Sequence, residues 1–86
     1  MRRLDLRSAR KKSVRGADVK KLQGLLLAHG YGPSGLTTKK GAPDGIAGTY
    51  TRLYVGRFQV KHNVGDGKGN ADYIVGDATW AALIEK

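Results

Sequence analysis

The sequence predicts a small, mostly α domain, a three-helix bundle carrying two ordered turns. Three observations predict it. One pattern occurs twice: Val19-x-x-Leu22-Gln23 followed by Asp44-x-Ile46-x-Gly48-x-x-Thr51, then Val55-x-x-Phe58-Gln59 followed by Asp72-x-Ile74-x-Gly76-x-x-Thr79. A recurring pattern of this kind marks one structural unit used twice. Apolar residues return at helical spacing in three stretches, and the segments between them lack it. Finally, 86 residues with 40% hydrophobic content make one domain at most, with a modest core.

Taken in order, residues 1–13 show no apolar periodicity and read as a flexible basic arm or linker, leaving residues 14–86 as the domain. The first helix is expected from Gly16 to Gly30. Val19, Leu22, Leu26 and His29 fall on one face, with Leu25 beside them. Asp18 or Ser13 is the expected N-terminal cap, and Gly30 the C-terminal one. Gly24 within the helix costs about 1 kcal/mol relative to Ala, which is tolerable if another backbone packs closely there. Residues 32–43 hold three Gly, two Pro and no periodicity, so they form a loop, long enough to be functional or mobile.

The Asp-x-Ile-x-Gly segments read as brief extended stretches. Gly48 and Gly76 are expected at positive φ or in close packing. The second helix should run from Thr49 to His62, with Val55 and Phe58 inward. Residues 63–71 form a second Gly-rich loop. A short third helix from Asp77 to Glu85 follows, with Asp77 as N-cap and Trp80 and Leu83 buried. In each unit the Gln that follows the apolar face must find hydrogen-bond partners if buried. The turn backbone is the obvious source, so Gln23 and Gln59 read as internal braces. Thr51 and Thr79 sit in first helical turns, where their hydroxyls serve local hydrogen bonds.

Charge is unevenly spread. The net charge is +9 and the pI near 10.2, yet residues 1–15 alone carry seven Lys and Arg against Asp5. Such a block reads either as a solvated tail or as a tether to phosphate-rich polymer, nucleic acid or an anionic wall glycopolymer. With no Cys, neither disulfides nor thiolate chemistry is available. No apolar run approaches the roughly 18 residues of a membrane span. Met1-Arg2-Arg3 resembles the charged start of a secretory signal, but no apolar core follows it. The expectation is release by another route, or a piece of a longer chain.

At this point the residues resemble a family. Gly16-Ala17-Asp18-Val19-Lys20-Lys21-Leu22-Gln23 with Leu26, Gly30 and Tyr31 is similar to the opening of the peptidoglycan-binding domain family, a three-helix module. Asp44-Gly45-Ile46-Ala47-Gly48-Thr49-Tyr50-Thr51 resembles its Asp-Gly-x-x-Gly-x-x-Thr turn, and Val55-Gly56-Arg57-Phe58-Gln59 its hydrophobic-x-x-Phe-Gln element. Ile74-Val75-Gly76-Asp77-Ala78-Thr79-Trp80-Ala81-Ala82-Leu83 resembles its C-terminal signature. The likeness spans roughly residues 14–84. Three features depart from it: Tyr73 stands where the family has Gly, Thr49 and Asp77 stand where Pro is frequent, and both loops are longer.

The resemblance implies a non-catalytic module that anchors a cell-wall hydrolase, such as a phage endolysin, to peptidoglycan. The site of action would be the bacterial cell wall, with the basic arm adding attraction to anionic wall polymers. The residues expected at the ligand are Tyr50 and Tyr73, which offer an apolar face and a hydroxyl, and Arg52 and Arg57, which pair with stem-peptide carboxylates. Asp44 and Asp72 belong to the same set, although an Asp at a turn also binds backbone N–H groups. Phe58 and Trp80 are expected in the core. His29 and His62 suit helix C-termini and lack companions at metal-ligand spacing, so no metal or cofactor is expected.

Two other classes compete. A basic three-helix domain could bind nucleic acid, but the third helix carries no Lys or Arg for a groove and a reading helix needs them. An enzyme acting alone would need a catalytic constellation. The only Glu is Glu85, and no Ser is paired with a His and an acid.

Overall fold

Each Asp-x-Ile-x-Gly segment closes an extended stretch and launches a helix. The computed structural model describes residues 3–85. Its elements in order are β1 (Leu4–Asp5), β2 (Val14–Arg15), α1 (Ala17–Ala28), β3 (Ile46–Ala47), α2 (Thr49–His62), β4 (Ile74–Val75) and α3 (Asp77–Ile84). The fold is the expected mostly α, three-helix domain, with four two-residue strands added. These pair antiparallel in two separate ladders, β1 with β4 and β2 with β3. The registers are equivalent: Leu4 faces Val75 and Asp5 faces Ile74, as Val14 faces Ala47 and Arg15 faces Ile46. One further bond extends each ladder, Leu6 N–H to Tyr73 C=O at 2.8 Å and Gly16 N–H to Gly45 C=O at 3.2 Å.

The flexible arm expected over 1–13 is thereby corrected for the described residues. Leu4, Leu6 and Ala9 are buried in the same core as the helices. The chain then turns, with Ala9 N–H donating to Leu6 C=O and the Lys11 and Lys12 N–H groups to Ser8 C=O. Alternating burial at Leu4, Asp5, Leu6 and Arg7 turns the cations outward while the leucines fill the core. That period-2 signal covers too few residues to stand out among so many charges.

Helix α2 occupies the expected residues. α1 starts at Ala17 with Gly16 as N-cap, and α3 at Asp77 with Gly76 as N-cap; neither has a side-chain cap bond. Ser13 and Asp18 therefore do not cap α1, and Asp77 is the first residue of α3, where its charge faces the positive helix end. Gly30 does end α1: at φ 91°, its N–H reaches Leu27 C=O, and the Tyr31 N–H reaches back to Leu26 C=O. This is a Schellman closure. Asn63, at φ 52°, closes α2 identically, with Val64 N–H on Gln59 C=O.

Val19, Leu22, Leu26, Ala47, Val55, Phe58, Val75, Trp80 and Leu83 form the centre of the core. Leu36 joins them from the loop between α1 and β3, so that segment is anchored by a buried leucine. His29 extends the core to the far end. Its Nε2 lies 2.8 Å from Leu83 C=O, tying α1 to α3, and its ring meets Phe58 edge-on at 5.1 Å.

Candidate functional site

The repeat is, at the atomic level, a buried amide reading a turn. Gln23 Nε2 donates to Asp44 Oδ1 (2.8 Å), Ile46 C=O (3.1 Å) and Thr51 Oγ1 (3.3 Å). Its Oε1 accepts from Gly45 N–H at 2.8 Å. Gln59 repeats every bond, to Asp72 Oδ1 (2.9 Å), Ile74 C=O (2.9 Å) and Thr79 Oγ1 (3.2 Å), and accepts from Tyr73 N–H (3.0 Å). Each Asp Oδ1 also accepts the N–H two residues on, from Ile46 or Ile74. Both glutamines are fully buried, so every polar atom of the amide needs such partners. The aspartates expected at the ligand thus spend Oδ1 on the turns.

The two turns differ at one position. The residue after each Asp has positive φ, 75° at Gly45 and 59° at Tyr73. Gly48 and Gly76, by contrast, are extended with negative φ and open space where a Cβ would stand, so the expectation for them is corrected. A left-handed conformation is natural for Gly and costly for Tyr. In the first unit the small turn residue faces a large helix residue, because a Cβ on Gly45 would lie 3.1 Å from the Lys20 side chain. The second unit reverses this. Gly56 is the helix residue, and a Cβ on it would overlap Cε1 of Tyr73 and approach its hydroxyl to 3.2 Å. Large and small have changed places between helix and turn, and the volume between them is conserved.

This exchange lays the Tyr73 ring along α2. Arg52 covers it, with Cζ 3.8 Å from the ring centroid, a cation–π contact. Beside it runs a shallow groove of about 350 Å³ lined by Leu53, Gly56, Arg57, Val60, Lys61, Ala71 and Tyr73. Leu53 and Val60 are 38% and 53% exposed. Both lie on the face of α2 that points away from the core, seven residues apart and so on the same side of the helix.

Of the expected ligand residues, Tyr73, Arg52 and Arg57 come together here. Asp72 lies in the turn just before Tyr73. Tyr50 is exposed one turn before Leu53, its side chain against Gly35, and Asp44 lies in the other unit's turn. Leu53, Val60 and Lys61 escaped the sequence reading, which took from the outer face of α2 only Tyr50, Arg52 and Arg57. Among the described residues no group of three or more His, Cys, Asp or Glu could hold a metal, and no helix is long and apolar enough to cross a membrane.

Around the corner from the groove, the residues after β1 bring their cations against the start of α2. Arg7 is held by Asp5 through three guanidinium bonds, the shortest 2.7 Å. That contact, with the Arg7 backbone N–H, lowers the Asp5 carboxyl to about 2. A family model described as a putative peptidoglycan binding domain matches residues 15–83. No curated protein and no solved structure matches the chain.

Proposed function

The chain belongs to the peptidoglycan-binding domain family, and from that membership we propose that it is a non-catalytic wall-targeting module that grips peptidoglycan through the α2 groove. The observation that carries this reading is the groove's composition. Tyr73, Leu53 and Val60 present apolar surface to sugar C–H faces and alanine methyls, while Arg57 and Lys61 stand at its edge. Guanidinium pairs bidentately with carboxylates, which stem peptides supply. Arg52 fixes the Tyr73 ring, Asp72 shapes the turn that presents it, and Tyr50 extends the same face toward the α2 N-terminus. Asp44 shapes the other turn.

A shallow groove of this size gives weak affinity per module. Weak binding suffices if the module holds a hydrolase on an insoluble polymer, where effective concentration multiplies it. A peptidoglycan hydrolase of the phage-endolysin type is the setting we favour, acting at the bacterial cell wall, and no catalytic function is assigned to the module itself.

Co-sedimentation with peptidoglycan sacculi stripped of secondary polymers tests the reading, at about 0.15 M and 0.5 M salt so that exposed charge is screened in the second. Wild-type protein should sediment at both. Tyr73→Ala and Arg57→Glu should each remain largely in the supernatant while melting as folded proteins. Retention of both variants at wild-type level would overturn the placement of the site. Loss of wild-type binding at high salt would overturn the proposed function.

A further inference from the structure

The α2 groove fits one part of peptidoglycan better than the other. A glycan strand is lined with hydroxyl groups, and hydroxyls taken out of water need acceptors. Of the seven residues that line the groove, only Tyr73 carries a side-chain atom able to accept a hydrogen bond. One face of its ring, moreover, lies under Arg52. The rest of the lining is aliphatic or cationic. Leu53 and Val60 stand two turns apart on α2, about 10 Å along the axis, the reach of about three extended peptide residues. Ala71, in the same lining, spends neither its N–H nor its C=O on another described residue. Unpaired main-chain groups of that kind are what an extended peptide pairs with. Arg57 and Lys61 lie four residues apart on α2, a helix without an acidic residue. Like charges at that spacing repel, and neither meets a carboxylate among the described residues.

Resting on the wall-binding reading of this groove, we infer that its ligand is the stem peptide and not the glycan, and that the peptide must present free carboxylates. Alanine methyls pack against Leu53 and Val60. A carboxylate beside them accepts from the Arg57 guanidinium and the Lys61 ammonium, and its charge relieves the repulsion between the two. A carboxamide in the same place has no charge and turns N–H donors toward groups that only donate. Amidation of the stem therefore removes the attraction and weakens the hydrogen bonding together. The chemical state of the wall decides where the module settles.

NMR titration of the whole chain with three soluble fragments tests this: a tetrapeptide stem with free carboxylates, the same tetrapeptide with its carboxylates amidated, and a glycan oligomer free of peptide. The free-carboxylate stem should bind at least about tenfold more tightly than the amidated one, the worth of one charge-assisted bond. It should shift the signals of Leu53, Val60 and Ala71, and the glycan should leave them in place. The pair Arg57→Gln with Lys61→Gln should erase the preference between the two stems. The pair Lys39→Gln with Lys40→Gln, on the exposed loop after α1, should keep it. Both pairs remove the same net charge, so general attraction predicts equal losses. Equal binding of the two stems, preference for the glycan, the same response in both pairs, or no fragment binding by protein that stripped sacculi retain would overturn the assignment. Failure of the sacculi to retain the protein would instead overturn the wall-binding reading, and this assignment with it.

Discussion

Replacing Gly56 with Ala should reverse its usual sign, and the reason is Tyr73. In an ordinary helix interior Gly→Ala stabilises by about 1 kcal/mol. Here the new methyl overlaps Tyr73 Cε1 and stands 3.1 Å from Cζ, so the ring must swing away. Leaving its place forfeits the Arg52 contact, about 0.5–1 kcal/mol for a partly exposed pair. Ring packing worth about 1 kcal/mol goes with it. The net result is destabilisation by about 0.5–1 kcal/mol, or roughly 2–8 °C in a domain of this size. In a Tyr73→Gly background the obstacle is gone, the turn regains the residue its left-handed backbone favours, and Gly56→Ala should stabilise by its full ~1 kcal/mol. The coupling energy of the two changes is then about 1.5–2 kcal/mol. Urea unfolding of the four proteins in the cycle measures it. Additivity within about 0.5 kcal/mol, the level expected of independent sites, would refute the exchange of volume between helix and turn.

Other consequences are equally direct. Gln59→Leu keeps the volume but strands Tyr73 N–H, Ile74 C=O and Asp72; it should cost about 2–4 kcal/mol by urea unfolding, and Gln23→Leu about the same. Leu6→Ala, at a fully buried position, should cost about 2–5 kcal/mol, and a chain lacking residues 1–9 should lose its cooperative unfolding transition; an unchanged midpoint would return this segment to the status of a tail. Asp5 has a folded pKa of about 2 against an ordinary 3.8, so its stabilising contribution is complete above about pH 4 and disappears as pH falls from there toward 2. Because the pair is exposed, solvent screens it and the effect on stability is small. Asp5→Asn should flatten stability against pH in that window and leave it unaltered at pH 7 apart from a constant offset.

The repeat made most of this fold legible. Helix α2 could be bounded at Thr49 and His62 because the Asp-x-Ile-x-Gly turn precedes it and a Gly-rich loop follows. Gln23 and Gln59 could be read as braces because a buried amide beside an Asp turn has few other uses. The first nine residues were not legible for a physical reason. Leu4 and Leu6 are buried through partners near the other end of the chain, and nothing local distinguishes two leucines among arginines from a solvated tail. Leu36 is another such case, one apolar residue in a Gly-rich loop that finds the core only in three dimensions. In the groove, Tyr73 and Arg57 were visible as residue types with suitable chemistry. Leu53 and Val60 were not, because apolar side chains on the outer face of a helix mean something only once the inner face is known to be filled.

The two small ladders also set an order of events for folding. β2 and β3 enclose α1 and its loop, whereas β1 must find β4 across nearly the whole chain. Closing the longer loop costs more entropy before any contact is gained, so the Gln23 turn with α1 and α2 should organise first and β1 should dock last. Contacts made after the rate-limiting barrier govern escape from the native state. Truncating Leu4 or Leu6 should therefore accelerate unfolding while refolding proceeds at nearly its original rate, and the lifetime of the folded domain is held by the segment that docks last.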